Sequence, residues 1–176
     1  MTLADAYAAF TAGLDWDRLP EPVRDRIPDL VADWLANTAA GYFSAMGQAM
    51  AGTWQPAGGS VALPGQPVLP GNLGTADPLA AAMINAAACH ALEFDDAHRA
   101  GLYHPGAPVI SAVWSAAAVN AVSGKDMLCA VAAGYEVSMR LARALNPAHN
   151  KTWHTTGTAG TFGAAAAAAR CLGLDA

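Results

Sequence analysis

The sequence predicts an all-α fold: a helical bundle of about six helices with one long Gly/Pro-rich loop, forming a single helical domain over residues 1–176. Three observations predict it. Apolar residues recur at spacings of three and four, as at Val23, Ile27, Leu30, Val31, Trp34 and Leu35, which is the period of one helix face. Alanine, the strongest helix former, dominates several long tracts. Proline, glycine and short polar residues punctuate those tracts where helices start and stop.

Leu3 to Leu14 is the first helical segment, and acidic Asp5, with no basic stretch before it, argues against a secretory signal. Glu21 to Met46 is the second. Pro20 and Pro22 suit its start, while Pro28 falls inside the pattern and is expected to kink it or mark a restart. From Gly47 to Gly74, glycines and prolines surround a short SVALPG segment, which reads as a long loop with one short strand. Asp77 followed by Pro78 is an N-cap with proline in the first helical position, opening a helix to about Leu92. The polar link EFDDAHRAGLYHP comes next.

Residues 107–122 form a helix that is apolar on all sides, yet Ser111, Ser115 and Asn120 leave it short of a bilayer span. Such a helix must be surrounded by protein, and part of the cover is expected from another chain. Lys125 to Leu145 is the next helix, ended by Pro147. A second polar link, AHNKTWHTTG, leads to a last helix over Thr158 to Leu172, in which glycines 157, 160 and 163 allow close backbone approach.

With 54% hydrophobic and 13% charged residues, the chain has enough apolar mass for a core and is not disordered. Its formal charge of −5 and lack of any basic run exclude nucleic acid as a natural partner. No membrane association is expected. Cys89, Cys129 and Cys171 lie far apart in alanine-rich tracts, as buried thiols of a reducing compartment do, so a cytoplasmic location is expected. They sit in helices rather than electropositive loops, and no Gly-x-Ser-x-Gly elbow is present, which disfavours nucleophilic catalysis.

The chemistry concentrates in the two polar links. His98, His104 and His154 lie there and His90 lies one turn before the first, on loops that a rigid helical frame would hold. Imidazoles titrate near neutral pH, and His104 and His154 are the leading acid/base pair. Taken singly, each is more often a helix-end or surface histidine. Glu93, Asp95 and Asp96 stand beside His90 and His98. His90 and Glu93 are three apart, like half of a di-iron motif, but the further glutamates of such sites are lacking and no metal is expected. A plainer reading makes Asp95 or Asp96 an N-cap or a partner of Arg99, and for Asp96 it weighs as much as the functional one. Thr155, Thr156 and Gly157 present backbone amides that would hold an anion at a helix start, although capping by either threonine is the plainer account.

The succession NAAACHALEFDDAH, YHPGAPV, SGKDMLCAVAAGYEVSMRLARAL and WHTTGTAGTFGAAAAAARCLGL resembles the 2-methylcitrate dehydratase (MmgE/PrpD) family, from the LVADWLANTAAGYFSA helix to the last residue. The resemblance implies acid/base proton chemistry beside the carboxylates of small polyacids, of the dehydratase, decarboxylase or epimerase type. It implies neither metal nor organic cofactor. It places the HPG histidine on His104, the histidine before the glycine-rich helix on His154, and the acid opening the (D/E)FDD segment on Glu93. Asp95, Asp96, His98, Thr155, Thr156 and Gly157 are then expected to bind substrate. Family enzymes are more than twice this length, with a smaller α+β lid over a helical domain, usually as homodimers. The lysines they use further along have no counterpart, since Lys125 and Lys151 fall elsewhere. Two hypotheses follow: a subunit of a lyase or isomerase completed by a companion polypeptide that carries the lid, or a catalytically silent helical binding or scaffold subunit.

Overall fold

A computed structural model describes residues 2–54, 61–62 and 75–176. Among them are seven α-helices: α1 (Leu3–Gly13), α2 (Glu21–Gly41), α3 (Ala45–Trp54), α4 (Pro78–His90), α5 (Gly106–Asn120), α6 (Gly124–Leu145) and α7 (Thr155–Cys171). Two short strands, β1 (Val61–Ala62) and β2 (Thr75–Ala76), pair antiparallel, so the expected strand is there with a partner. The architecture is all-α, as expected.

Local chemistry accounts for the helix ends. Thr2 and Asp5 form a reciprocal capping box on α1, the Thr2 hydroxyl accepting from the Asp5 N–H and the Asp5 carboxylate from the Thr2 N–H. Asp77 caps α4 by accepting from the N–H groups of Leu79 and Ala80, both at 3.1 Å. Ser123 caps α6 through the Asp126 N–H.

Four expectations need correction. Pro28 neither ends α2 nor restarts it; the prolyl ring removes only the bond to the Arg24 carbonyl, and Pro28 itself is exposed, where water can reach the freed backbone. The second segment stops at Gly41, and residues 45–54, the start of the expected loop, are helical. Ser44 accepts from the Gly47 N–H at 3.0 Å and caps the new helix, a start signal that the surrounding glycines obscure. The rest of that loop lies largely outside the described residues. Helix α7 begins at Thr155, three residues early, which puts Thr155, Thr156 and Gly157 in its first turn. Finally, α5 is covered by its own chain as far as Ala117, while Ala118 and Val119 at its end are exposed.

That cover explains the bundle. Helices α2, α4, α6 and α7 pack around α5, and Val109, Ile110 and Val113 are fully buried with Ile27, Trp34, Val131 and Ala167. The Trp34 indole N–H donates to the Ser111 hydroxyl at 3.0 Å, whereas the buried Ser115 hydroxyl of the same helix has no hydrogen-bond partner among the described residues. Helix α6 crosses α7 at Gly134 and Gly163, where a Cβ on either would lie 2.7 Å from the other's carbonyl oxygen. Gly160 gives Pro108 of α5 the same clearance. These contacts bring the N-terminal ends of α5 and α7 together beside the C-terminus of α4. Among the described residues, no helix is long and apolar enough to cross a membrane.

Candidate active site

The link between α4 and α5 doubles back on itself. Glu93 and Leu102 both adopt left-handed backbone conformations, with φ of 55° and 52°, which cost a residue with a Cβ about 1 kcal/mol or more. The first reversal follows the end of α4, where the Glu93 N–H bonds to the His90 carbonyl, and it returns the chain so that Asp95 faces His90. A second turn pairs the His98 N–H with the Tyr103 carbonyl at 2.9 Å. His104 precedes a proline, which disfavours helical backbone and keeps it outside α5.

Asp95 is the centre of the cluster. Its side chain is 1% exposed, and its two carboxylate oxygens lie 3.0 and 3.2 Å from His90 Nδ1. The nearer of these to His104 is 3.4 Å from His104 Nδ1, and the Asp95 carbonyl lies 3.3 Å from the same nitrogen. On the outer side stands Glu93, 69% exposed at its side chain, 3.5 Å from His90 Nε2 and 3.9 Å from His104 Nε2. The His90 ring is 4.8 Å from that of His104 and 5.8 Å from that of His154. Three imidazoles and two carboxylates from the end of α4 and two separate links therefore meet. The hydrogen bond to Asp95, with a smaller push from the charge of Glu93, raises the His90 pKa above its ordinary value against the opposing effect of burial.

His104 and His154 are brought together by Thr156. Its hydroxyl accepts from the His104 N–H at 3.1 Å and so joins the HPG turn to the first turn of α7. The Thr155 hydroxyl is buried among Asn146 and Asn150 and serves that joint rather than the open side. Gly157 is exposed with open space where a Cβ would stand. The opening amides of α7 have no intrahelical acceptor and lie beside the histidines, where the helix dipole favours an anion.

Asp96 and His98 turn the other way. Asp96 accepts from the Gly106 N–H at 2.8 Å and from the Tyr135 hydroxyl at 2.9 Å, capping α5 from a distance. Burial raises its pKa, opposed by those two hydrogen bonds. Gly106 must lack a side chain here, because a Cβ would lie 2.5 Å from Asp96 Oδ1. The His98 ring stands edge-on to Tyr103, and burial, then the charge of Arg143, lowers its pKa.

His90 is the member of this cluster that sequence reasoning left out of the site. Its three-residue spacing to Glu93 was the available signal, but the contact that matters, to Asp95, depends on the reversal at Glu93. His90, Asp95 and His104 also bring three donor atoms within 4.8 Å of one another, the donor set that would hold one divalent cation. The thiols of Cys89, Cys129 and Cys171 are free and buried; burial raises each, that of Cys171 to about 11, which keeps them unreactive. Lys125 is committed to Asp17 at 2.6 Å.

The profile of the MmgE/PrpD N-terminal domain matches residues 5–176. The chain belongs to the MmgE/PrpD family. It is similar to a cis-aconitate decarboxylase-like protein of Aspergillus oryzae, 35% identical over 107 residues, covering 56% of this chain and 22% of the relative. Human cis-aconitate decarboxylase is 37% identical over 103 residues, and that of Aspergillus terreus 35% over 104, covering 56% and 55% of this chain and 21% of each relative. The matched segment thus spans about a fifth of the curated relatives' length.

Proposed function

We propose that this chain is a subunit of a cofactor-independent lyase or isomerase that moves protons on a small carboxylated substrate. The observation that carries this reading is the convergence of His90, His104 and His154 with Glu93 and Asp95 beside the start of α7. A neutral imidazole takes a proton from carbon next to a carboxylate, and an imidazolium returns one to carbon or to a leaving hydroxyl. His104 and His154 share those two roles, with Glu93 on the outer side of the pair. Gly157, the exposed residue of the first turn of α7, offers its amide to a substrate carboxylate, while Thr155 and Thr156 beside it are buried. The relatives named cis-aconitate decarboxylase support a polyacid of that type and the loss of carbon dioxide as one outcome.

The site is open on the side of Glu93, and large apolar side chains surround it. Phe94 is 80% exposed and Trp153 65%. A companion polypeptide carrying a lid, or a second copy of this chain, covers that face and excludes water during turnover. The test is to purify the chain alone and with the product of the neighbouring reading frame, to weigh both natively, and to assay each with cis-aconitate for carbon dioxide release. Turnover that falls by about 10² to 10⁴ in His104→Ala and His154→Ala supports the reading. A folded, partner-free chain whose histidine variants change only stability supports the silent binding or scaffold subunit instead.

A further inference from the structure

We infer that Asp95, braced by His90, is a positioning residue that holds His104 with its proton on Nδ1 and its lone pair on Nε2. This rests on the acid/base reading above and assigns the base within it. The argument is one of donors and acceptors. The polar atoms within 3.4 Å of His104 Nδ1 are the Asp95 carbonyl at 3.3 Å and the Asp95 carboxylate at 3.4 Å, and neither can donate from its ionised or backbone form. A neutral imidazole facing two acceptors places its hydrogen there. Nε2 then carries the lone pair, with no hydrogen-bonding partner among the described residues nearer than Glu93 Oε2 at 3.9 Å, on the side where a substrate C–H would approach.

His90 is what keeps Asp95 in that position. Both carboxylate oxygens lie within 3.2 Å of His90 Nδ1, and the carboxylate is otherwise sealed from water. A buried carboxylate without such a partner would carry a large desolvation cost. On its far side His90 Nε2 faces Glu93 at 3.5 Å, so this imidazole is clamped between two acids. In the reaction the proton moves from substrate carbon to His104 Nε2, and the electron pair stays on the substrate, delocalised into its carboxylate. The imidazolium so formed donates through Nδ1 to Asp95. His154, 5.8 Å from His90 between ring centres, is left as the proton donor.

The test uses the full chain labelled with ¹⁵N-histidine, together with Asp95→Asn, and its first arm needs no turnover. Long-range ¹⁵N–¹H spectra above about pH 8, where an ordinary imidazole is neutral, report which nitrogen of His104 is protonated. Protonation on Nδ1 is expected; protonation on Nε2 overturns the inference whether or not the chain is an enzyme. In Asp95→Asn the His90 titration midpoint is expected to fall, and in the active assembly kcat should fall at least about tenfold with KM little changed, less than the ~10⁴ of a triad carboxylate because the Asp95 carbonyl remains. Unchanged His90 titration together with unchanged kcat overturns the inference. Should Asp95→Asn fail to fold, the wild-type tautomer decides alone. A chain with Nδ1-protonated His104 and no turnover of any carboxylate keeps the positioning role and removes the catalytic reading.

Discussion

The α4–α5 link has two faces made from neighbouring residues, and they are built on opposite plans. On one face Glu93 and Asp95 meet His90, His104 and His154, with the His90 and His104 rings about a fifth exposed. On the other, Asp96, His98 and Tyr103 are spent on the bundle: Asp96 on Gly106 and Tyr135, Tyr103 on the Ser138 hydroxyl at 2.9 Å. Adjacent aspartates thus do different work. Asp95 contacts the imidazoles and Asp96 fixes the start of α5, so neighbouring acids of one motif face opposite ways.

The sharpest way to break this comparison is kinetic. His104→Ala and His154→Ala should lower turnover of the assembled enzyme by about 10² to 10⁴ while leaving the thermal midpoint nearly unchanged; a large loss of stability instead would place these residues with the architectural face. Next in size is Gly106→Ala, which drives a methyl group against the Asp96 carboxylate and should cost about 1–3 kcal/mol in denaturant unfolding. Gly157→Ala, a glycine in open space, should stay within about 0.5 kcal/mol, and equal costs at the two glycines would erase the distinction. Tyr135→Phe removes one buried hydrogen bond to Asp96 and should cost about 1 kcal/mol, read from the same unfolding curves.

The smallest effect sharpens the comparison through pH. His90 is raised by Asp95, so its contribution to stability is full below about pH 6.5 and is lost as pH rises through its folded value. His98 is lowered by burial, so its contribution is present above about pH 6.5 and is lost as pH falls through its folded value. NMR titration of the two imidazoles should give midpoints on opposite sides of the ordinary histidine value. Midpoints on the same side would mean that the two faces do not differ electrostatically.

Much of the frame was legible because its signals are local. Asp77 with Pro78, the alanine tracts and the breaks near residues 121–124 and 146–154 place α4 to α7 within a few residues. Helix α3 was missed because Gly47 and Gly52 read as loop, whereas Ser44 starts a helix that tolerates them. His104, His154 and Glu93 stood out by lying in polar links. His90 did not, because it reads as the last turn of a helix, and its value comes from Asp95 five residues on.

Composition and period alone therefore determined an all-α chain with His104, His154 and Glu93 in polar links between helices, since helix propensity, capping and hydrophobic spacing act over a few residues. Which acid faces the imidazoles, which caps α5, and that α5 is wrapped by its own helices were decided only by tertiary structure. Those outcomes depend on two left-handed residues reversing the link and on glycine contacts between α6 and α7 that set where distant helix ends meet.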